Sequence, residues 1–423
     1  MEDTIFALSS GAPPAAIGVI RISGPKAGDA LTALAGDLPP ARSPRVRTLR
    51  DDAREALDVV LVLWFPGPAT ATGEDLAEIH CHGGRAVIAA IVAALGGLEG
   101  LREAEPGEFT RRAFGNGRID LAEAEGLADL LAAETDLQRK GALLSAGGAL
   151  SRQIESWRER ILGLAASVEA VIDFADEDDV AGLPTSFEGE IVDLAEEMQR
   201  MAGRPAAERL RDGIRVVLAG PPNAGKSSLF NALLSDDAAI VTAEAGTTRD
   251  VLERPVAIGG VPFVLVDTAG MREEGAGMIE EIGIARARRA VEEGQIVLWL
   301  GEPGQAPAGS ILIGSKSDLD DRSSAEGLKV SSVTGVGIDD LVERLVALGK
   351  AALPPVDQVA FNRRQRQWAI TAAENLAAVD ASGDLLVVAE NLRSARRALD
   401  RLVGRDSTEE MLDALFGRFC IGK

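Results

Sequence analysis

The sequence is poor in the residues that build disulfide frameworks and zinc sites. It holds two cysteines and two histidines in 423 residues. Cys81 and Cys420 lie in separate regions, which argues against a disulfide framework. His80 and His82 are too few for a dedicated protein zinc site and read as the polar edge of a strand end. Long apolar runs are missing too. The longest uncharged one, Ala86 to Leu98, has 13 residues between Arg85 and Glu99, whereas a membrane-spanning helix needs about 20. The opening MEDTIFALSS carries two acids and no basic flank, unlike a secretory leader. The expectation is a cytoplasmic protein. Positive charge is outweighed: the formal net charge is −22, which argues against non-specific nucleic-acid binding over the whole surface. A local patch stays open. Arg363, Arg364 and Arg366 form one basic cluster, and Arg393, Arg396, Arg397 and Arg401 are spaced to share a helix face. They are either a solvated face balancing nearby acids or a contact for an anionic partner.

Apolar material is ample at 46%, and at roughly 150 residues per domain the length implies two or three domains. Up to about residue 118, β-rich runs alternate with turns: Ile17 to Ile22 and Val59 to Phe65 read as strands, Arg85 to Leu95 as a helix. From 119 to 211, Leu121 to Ala133 and Ile154 to Ile172 show helical spacing. From 212 to 350, short apolar strands alternate with helical segments, the pattern of a mostly parallel α/β sheet. From 351 to 423 the pattern is helical again, with Pro354-Pro355 at the boundary. The fold class is therefore α/β plus all-α, with the α/β segment inserted in a helical domain.

The inserted part carries the chemistry. Arg215 to Ala219 is a short strand; Gly220-Pro-Pro-Asn-Ala-Gly225-Lys226-Ser227 follows and opens the helical SLFNALL. That is strand, G-x-x-x-x-G-K-S, helix, the context that marks a phosphate-binding loop. Residues 223 to 228 (Asn223, Ala224, Gly225, Lys226, Ser227, Ser228) would wrap the phosphates with amides, a helix N-terminus and the Lys226 charge, while Ser227 offers a hydroxyl to Mg²⁺. Gly246-Thr247-Thr248-Arg249-Asp250 resembles a switch I motif with Thr248 closing on Mg²⁺, and Asp267-Thr268-Ala269-Gly270 resembles DxxG. Ser315-Lys316-Ser317-Asp318 stands where GTPases carry Asn-Lys-x-Asp, and Asp318 can accept from guanine N1–H and its 2-amino group, which adenine cannot match. Ser331, Ser332 and Val333 occupy a fifth base-contacting loop. In this order behind a phosphate loop, the motifs indicate GTP. Two departures follow. Ser315 replaces an asparagine whose amide would bridge the phosphate and base loops, which would weaken nucleotide binding. Only nine residues, Gly301 to Gly309, separate two strands that should be parallel, so the usual crossover helix is missing or reduced to a loop.

Nearly the whole chain resembles the bacterial tRNA modification GTPase family MnmE (TrmE). The stretches that carry this are DTIFALSS, IGVIRISG, TGEDLAEIHCHGG, PGEFTRRAFGNGRIDLAEAEGLADL, the GTPase motifs and the terminal FCIGK. The resemblance implies an N-terminal tetrahydrofolate-binding and dimerisation domain over 1–118, a helical domain from 119–211 and 351–423, and an inserted Ras-like G domain over 212–350. It implies GTP hydrolysis assisted by K⁺ rather than an arginine finger, with Asn223, Thr242, Glu244 and Thr247 around the ion and G domains meeting in a homodimer. Thr242 also falls in the nucleotide contacts, and Glu280 matches the catalytic glutamate that orients the attacking water. Arg21, Glu78, Arg118 and Lys423 match positions that contact 5-formyl-tetrahydrofolate or a related folate; Arg118 stands where lysine is common, so donor geometry differs. Cys420 invites a thiol role that its context leaves unproven. The implied activity, with an FAD-dependent MnmG (GidA)-like partner in a heterotetramer, is 5-carboxymethylaminomethyl or aminomethyl modification of the tRNA wobble uridine. Two other readings stay open: a regulatory GTPase switch in ribosome or RNA assembly, and a folate-dependent transferase with a vestigial G domain.

Overall fold

The computed structural model describes residues 3–173, 182–235, 239–241, 252–267, 288–290, 292–293, 295–318, 327–355, 357–406 and 408–423. The chain divides into two compact units, residues 1–128 with 400–423, and residues 129–399.

The first unit is built on a six-stranded sheet of β1 (Thr4–Leu8), β2 (Ile17–Ser23), β3 (Arg45–Arg50), β4 (Ala56–Phe65), β5 (Leu76–His82) and β6 (Leu101–Glu103), in the order β3-β4-β5-β2-β1-β6. Neighbours are antiparallel except β1 and β6. Helices α1 (Ala27–Ala35) and α2 (Arg85–Gly96) supply Leu31, Ile91 and Leu95 to a core that includes Phe6, Ile20, Ile22, Val62 and Ile79 of the strands. Because strand side chains alternate, Arg21 and Glu78 fall on the other face. Helix α3 (Glu108–Gly115) covers part of that second face by packing Phe109 on Ile5 and Ala7.

The far end of the chain completes this unit. Helix α4 (Leu121–Leu131) contributes Leu121 and Ala124 to a small core with Leu412, Phe416 and Phe419, the first two of these from a helix over Glu409–Phe416. The fit is close: Gly107 has φ of 71°, and a Cβ there would lie 2.2 Å from the Phe416 carbonyl oxygen.

In the second unit, α5 (Asp136–Ala146), α6 (Ala149–Asp173), α7 (Phe187–Ala202) and α8 (Ala207–Arg211) precede the nucleotide domain. That domain contains β7 (Ile214–Ala219), α9 (Lys226–Leu234), β8 (Ala239–Val241), β9 (Leu252–Ile258), β10 (Val261–Asp267), β11 (Ile296–Trp299), β12 (Ile311–Gly314), β13 (Leu328–Lys329) and α10 (Ile338–Ala352). Its sheet runs β13-β12-β11-β7-β10-β9-β8, parallel except where β9 meets β10 and β8. The apolar run of β7 is buried on both faces, as a central parallel strand requires. The chain then returns to helices: α11 (Arg363–Ala377), packed on α7, and α12 (Leu385–Leu402); Glu409–Phe416 is α13. The short connection behaves as its length demands. Between the parallel β11 and β12 there is only one 3₁₀ turn, Pro303–Gln305. Among the described residues no helix is long and apolar enough to cross a membrane.

Candidate functional site

The phosphate loop hangs between β7 and α9. Gly220 has φ of 146° and Gly225 of 99°, conformations that favour glycine. Asn223 is also left-handed, at 62°, which asparagine tolerates better than most residues. Lys226 is almost buried, at 8% exposure, and its Nζ donates to the carbonyls of Gly220 (2.9 Å) and Pro221 (2.8 Å). Burial pushes its pKa below the ordinary lysine value, with Asp267 pulling the other way. The Ser227 hydroxyl donates to Asp267 Oδ2 at 2.7 Å, Asp267 being brought alongside Leu218 by the pairing of β10 with β7. A hydroxyl and a carboxylate so placed are hard oxygen donors of the kind Mg²⁺ takes. Ser228 follows on α9, exposed.

The base loop is tied to the phosphate loop twice. Ser315 Oγ donates to the Ala224 carbonyl at 2.6 Å, and Lys316 Nζ to the Asn223 carbonyl at 2.9 Å. Ser315 therefore still bridges the two loops, through a hydroxyl rather than an amide. Asp318 is oriented by the buried Ser331, whose hydroxyl donates to Asp318 Oδ1 at 2.7 Å. The same Ser331 oxygen accepts from the amides of Val333 (3.3 Å) and Thr334 (3.2 Å). Ser332 is half-buried and Val333 exposed. Thr242, Glu244, Thr247, Thr248, Thr268, Ala269, Gly270 and Glu280 lie outside the described residues.

The second cluster lies on the partly open sheet face of the first unit. Arg21 and Glu78 sit opposite each other on β2 and β5 and pair at 2.9 Å, with Arg21 5.9 Å above the centre of the Phe109 ring. Glu78 also meets His80 Nε2 at 3.3 Å, while His82 Nδ1 pairs with Asp58 at 2.8 Å. Neither histidine joins a metal-holding group among the described residues. Arg118 takes a different anchor, its Nε donating to the Thr70 carbonyl at 3.0 Å. The terminal tail docks on β1: Ser9 Oγ donates to the Gly422 carbonyl at 2.7 Å. Gly422 has φ of 90°, and a Cβ there would lie 2.1 Å from the Leu8 carbonyl oxygen. Lys423 is held through its amide to the Cys420 carbonyl (3.2 Å), and Cys420 is an exposed free thiol.

Sequence reasoning missed the ionic network beneath this face. Arg112, with no exposed side-chain surface, pairs with Asp3 (2.9 Å), Glu74 (3.2 Å) and Glu108 (3.0 Å). Ser23 Oγ donates to Glu74 (2.8 Å) and meets Thr72 Oγ1 (2.7 Å), and Asn116 Nδ2 donates to the Thr72 carbonyl (2.7 Å). The loop bearing Thr70 is thereby braced. The available signals were a double arginine on a short amphipathic helix and the i,i+4 spacing of Glu108 and Arg112. On α12, three of the four clustered arginines meet acids: Arg393 and Arg397 face Glu390 (2.6 and 4.0 Å), and Arg401 faces Asp406 (3.1 Å). That is the pattern of a solvated face.

Comparison with known proteins covers both clusters. A family described as "MnmE helical domain" matches residues 121–420, and one described as "GTP-binding protein TrmE N-terminus" matches residues 4–118. The chain is 60% identical over 423 residues to a tRNA modification GTPase MnmE of Erythrobacter litoralis, covering 100% of both chains. It is 56% identical to one of Novosphingobium aromaticivorans, again with 100% of both covered, and 57% identical to one of Rhizorhabdus wittichii, with 100% of this chain and 97% of that one covered.

Proposed function

The chain belongs to the MnmE family of tRNA modification GTPases, and from that premise we propose that it hydrolyses GTP to drive modification of tRNA wobble uridine. The observation that carries the nucleotide choice is the Asp318–Ser331 hydrogen bond beside a base loop tied to the phosphate loop. A carboxylate fixed there accepts from guanine and would face unmatched groups on adenine. Gly225, Lys226 and Ser228 cradle the phosphates. Ser227 and Asp267 would hold Mg²⁺, which when bound neutralises phosphate charge. Glu280 orients the attacking water, and Thr242, Thr247, Thr248, Thr268, Ala269 and Gly270 close around the nucleotide.

The finer reading is that turnover is stimulated by K⁺. Asn223, exposed on the phosphate loop, would offer its side-chain oxygen to the ion, with Thr242, Glu244 and Thr247 completing the shell. A cation there offsets charge growing between the β- and γ-phosphates. Arg21, Glu78, Arg118 and Lys423 hold a formylated tetrahydrofolate, supported by the Arg21–Glu78 pair and by the docking of the tail on the same unit. The four-part division at residues 118, 211 and 350 goes with this reading. So do a homodimer, an FAD-dependent MnmG-like partner, and a carboxymethylaminomethyl or aminomethyl product at uridine carbon 5. The test is the wobble uridine of tRNA from a strain lacking the gene, with and without complementation. Modification that persists without the gene refutes the proposal, and GTP turnover indifferent to exchange of K⁺ for Na⁺ refutes its potassium part.

A further inference from the structure

We infer that Gln138 is a positioning residue that links the helical segments to the strand bearing the phosphate loop, so that its bond to Arg211 carries the state of the GTP site into tRNA modification. The inference rests on the function proposed above.

Gln138 lies in the first turn of α5 and is 8% exposed. Its side chain does two separate things. The Oε1 atom accepts from the amides of Thr135 (2.9 Å) and Glu134 (3.1 Å), closing the α5 capping box. The Nε2 atom donates to the Arg211 carbonyl at 3.0 Å. Arg211 ends α8, and β7 begins just beyond it at Ile214 and runs to Ala219, where Gly220 opens the phosphate loop. A strand paired on both sides, by β10 and β11, is stiff along its length, so displacement at the loop is felt at its root.

The surroundings leave α5 and α8 little freedom to slip past each other. A Cβ on Gly141 would lie 2.6 Å from Leu210 Cδ2. Leu137 of α5 and Leu210 of α8 both pack against the core of the nucleotide-binding sheet. The outgoing chain is fastened to the same root: the Ala207 amide donates to the Phe361 carbonyl (3.0 Å), directly before α11. The two crossings between helical and nucleotide segments therefore converge on α8, and Gln138 ties α8 to α5 by a hydrogen bond beside the Gly141–Leu210 packing.

Two variants separate its two tasks. Gln138→Glu keeps an oxygen for the capping amides but cannot donate to Arg211. Thr135→Ala weakens the α5 cap and leaves the Arg211 bond. Full-length proteins are assayed for GTP turnover at saturating GTP, for modified wobble uridine formed per GTP hydrolysed in the presence of the modification partner, and for thermal midpoint. For Q138E, turnover within about twofold of the parent and modification per GTP lower by about fivefold are expected, the fold-change that follows from losing one buried hydrogen bond. For T135A, the ratio should equal the parent's even if its midpoint drops. An unchanged ratio in Q138E overturns the inference, as does an equal fall in T135A or turnover falling in step with modification. Amide exchange of residues 211–214 in the parent gives a check independent of variant folding. Protection should differ between the GDP-bound and GTP-analogue-bound protein, and identical protection also overturns the inference. A parent that supports no modification refutes the underlying function, and the inference with it.

Discussion

Ser315 donates its hydroxyl to the Ala224 carbonyl at 2.6 Å, joining the base loop to the phosphate loop at a position that lacks the asparagine amide. Ser315→Ala should raise the dissociation constant for GTP about fivefold, the value of a single net hydrogen bond, with Mg²⁺ affinity unchanged. Titration with a fluorescent GTP analogue reads this directly. A constant equal to the parent's would show that Lys316 alone holds the loops together.

Asp318 is held by Ser331 and has no carbonyl-facing donor to offer. Asp318→Asn should lower GTP affinity by roughly a hundredfold or more, because a site built to accept from the base now presents an amide. The same variant should gain affinity for xanthosine triphosphate, whose carbonyl replaces the guanine amino group. Competition between the two nucleotides on parent and variant measures both changes. A variant that still prefers GTP would remove Asp318 from base recognition.

Arg112 is fully buried among three carboxylates. Removing one partner of a buried ionic group leaves the others uncompensated. Arg112→Met should therefore destabilise the N-terminal unit by about 3–5 kcal/mol, seen as a lower midpoint in urea. A loss below about 1 kcal/mol would mean that water reaches the acids once the arginine is gone.

Acid should act on the same network. Burial alone would push the Glu108 carboxyl up, but hydrogen bonds from Arg102, the Glu105 amide and Arg112 outweigh it and hold the pKa below the ordinary value. Asp3 is likewise held down, against its own desolvation, by Arg102 and Arg112. A depressed folded-state pKa contributes stability above the unfolded value that is lost as pH falls through the folded one. Stability of the parent should thus decline as pH drops below the ordinary carboxylate range, and more shallowly in Glu108→Gln. Urea midpoints between neutral and acid pH test the difference in slope.

Gly422 is the sharpest constraint on the terminal tail. Gly422→Ala would place a methyl group against the Leu8 carbonyl in a left-handed conformation. The tail should undock, exposing the last residues to carboxypeptidase, and wobble modification should fall severalfold while GTP turnover stays at the parent's level. Equal protease resistance in both proteins would show that the tail finds another seat.

What the sequence revealed and what it hid follow one physical division. The phosphate loop was legible because strand, glycine turn and helix are contiguous, and the nine residues from 301 to 309 limited their connection by length alone. Arg21 and Glu78 were legible as candidate site residues only through resemblance, and their pairing was not legible at all, since nothing local couples β2 to β5. The Arg112 pairs with Asp3 and Glu74, the Ser9–Gly422 bond and the Gln138–Arg211 bond join residues far apart in the chain, and no periodicity records such meetings; the Glu108–Arg112 pair, at helical i,i+4 spacing, is the local exception. Ser315 shows the reverse case: its type suggests a lost amide contact, and the hydroxyl of its short side chain makes a link to the Ala224 carbonyl.

The dependence of the first unit on α13 also bears on how the protein is made. Translation delivers β1 to α4 early, but Leu121 and Ala124 find their partners Leu412, Phe416 and Phe419 only when the last residues leave the ribosome. The N-terminal unit must therefore wait through synthesis of the whole G domain with an apolar face uncovered. This interval favours chaperone holding, and a nascent chain stalled before α13 would leave that face uncovered.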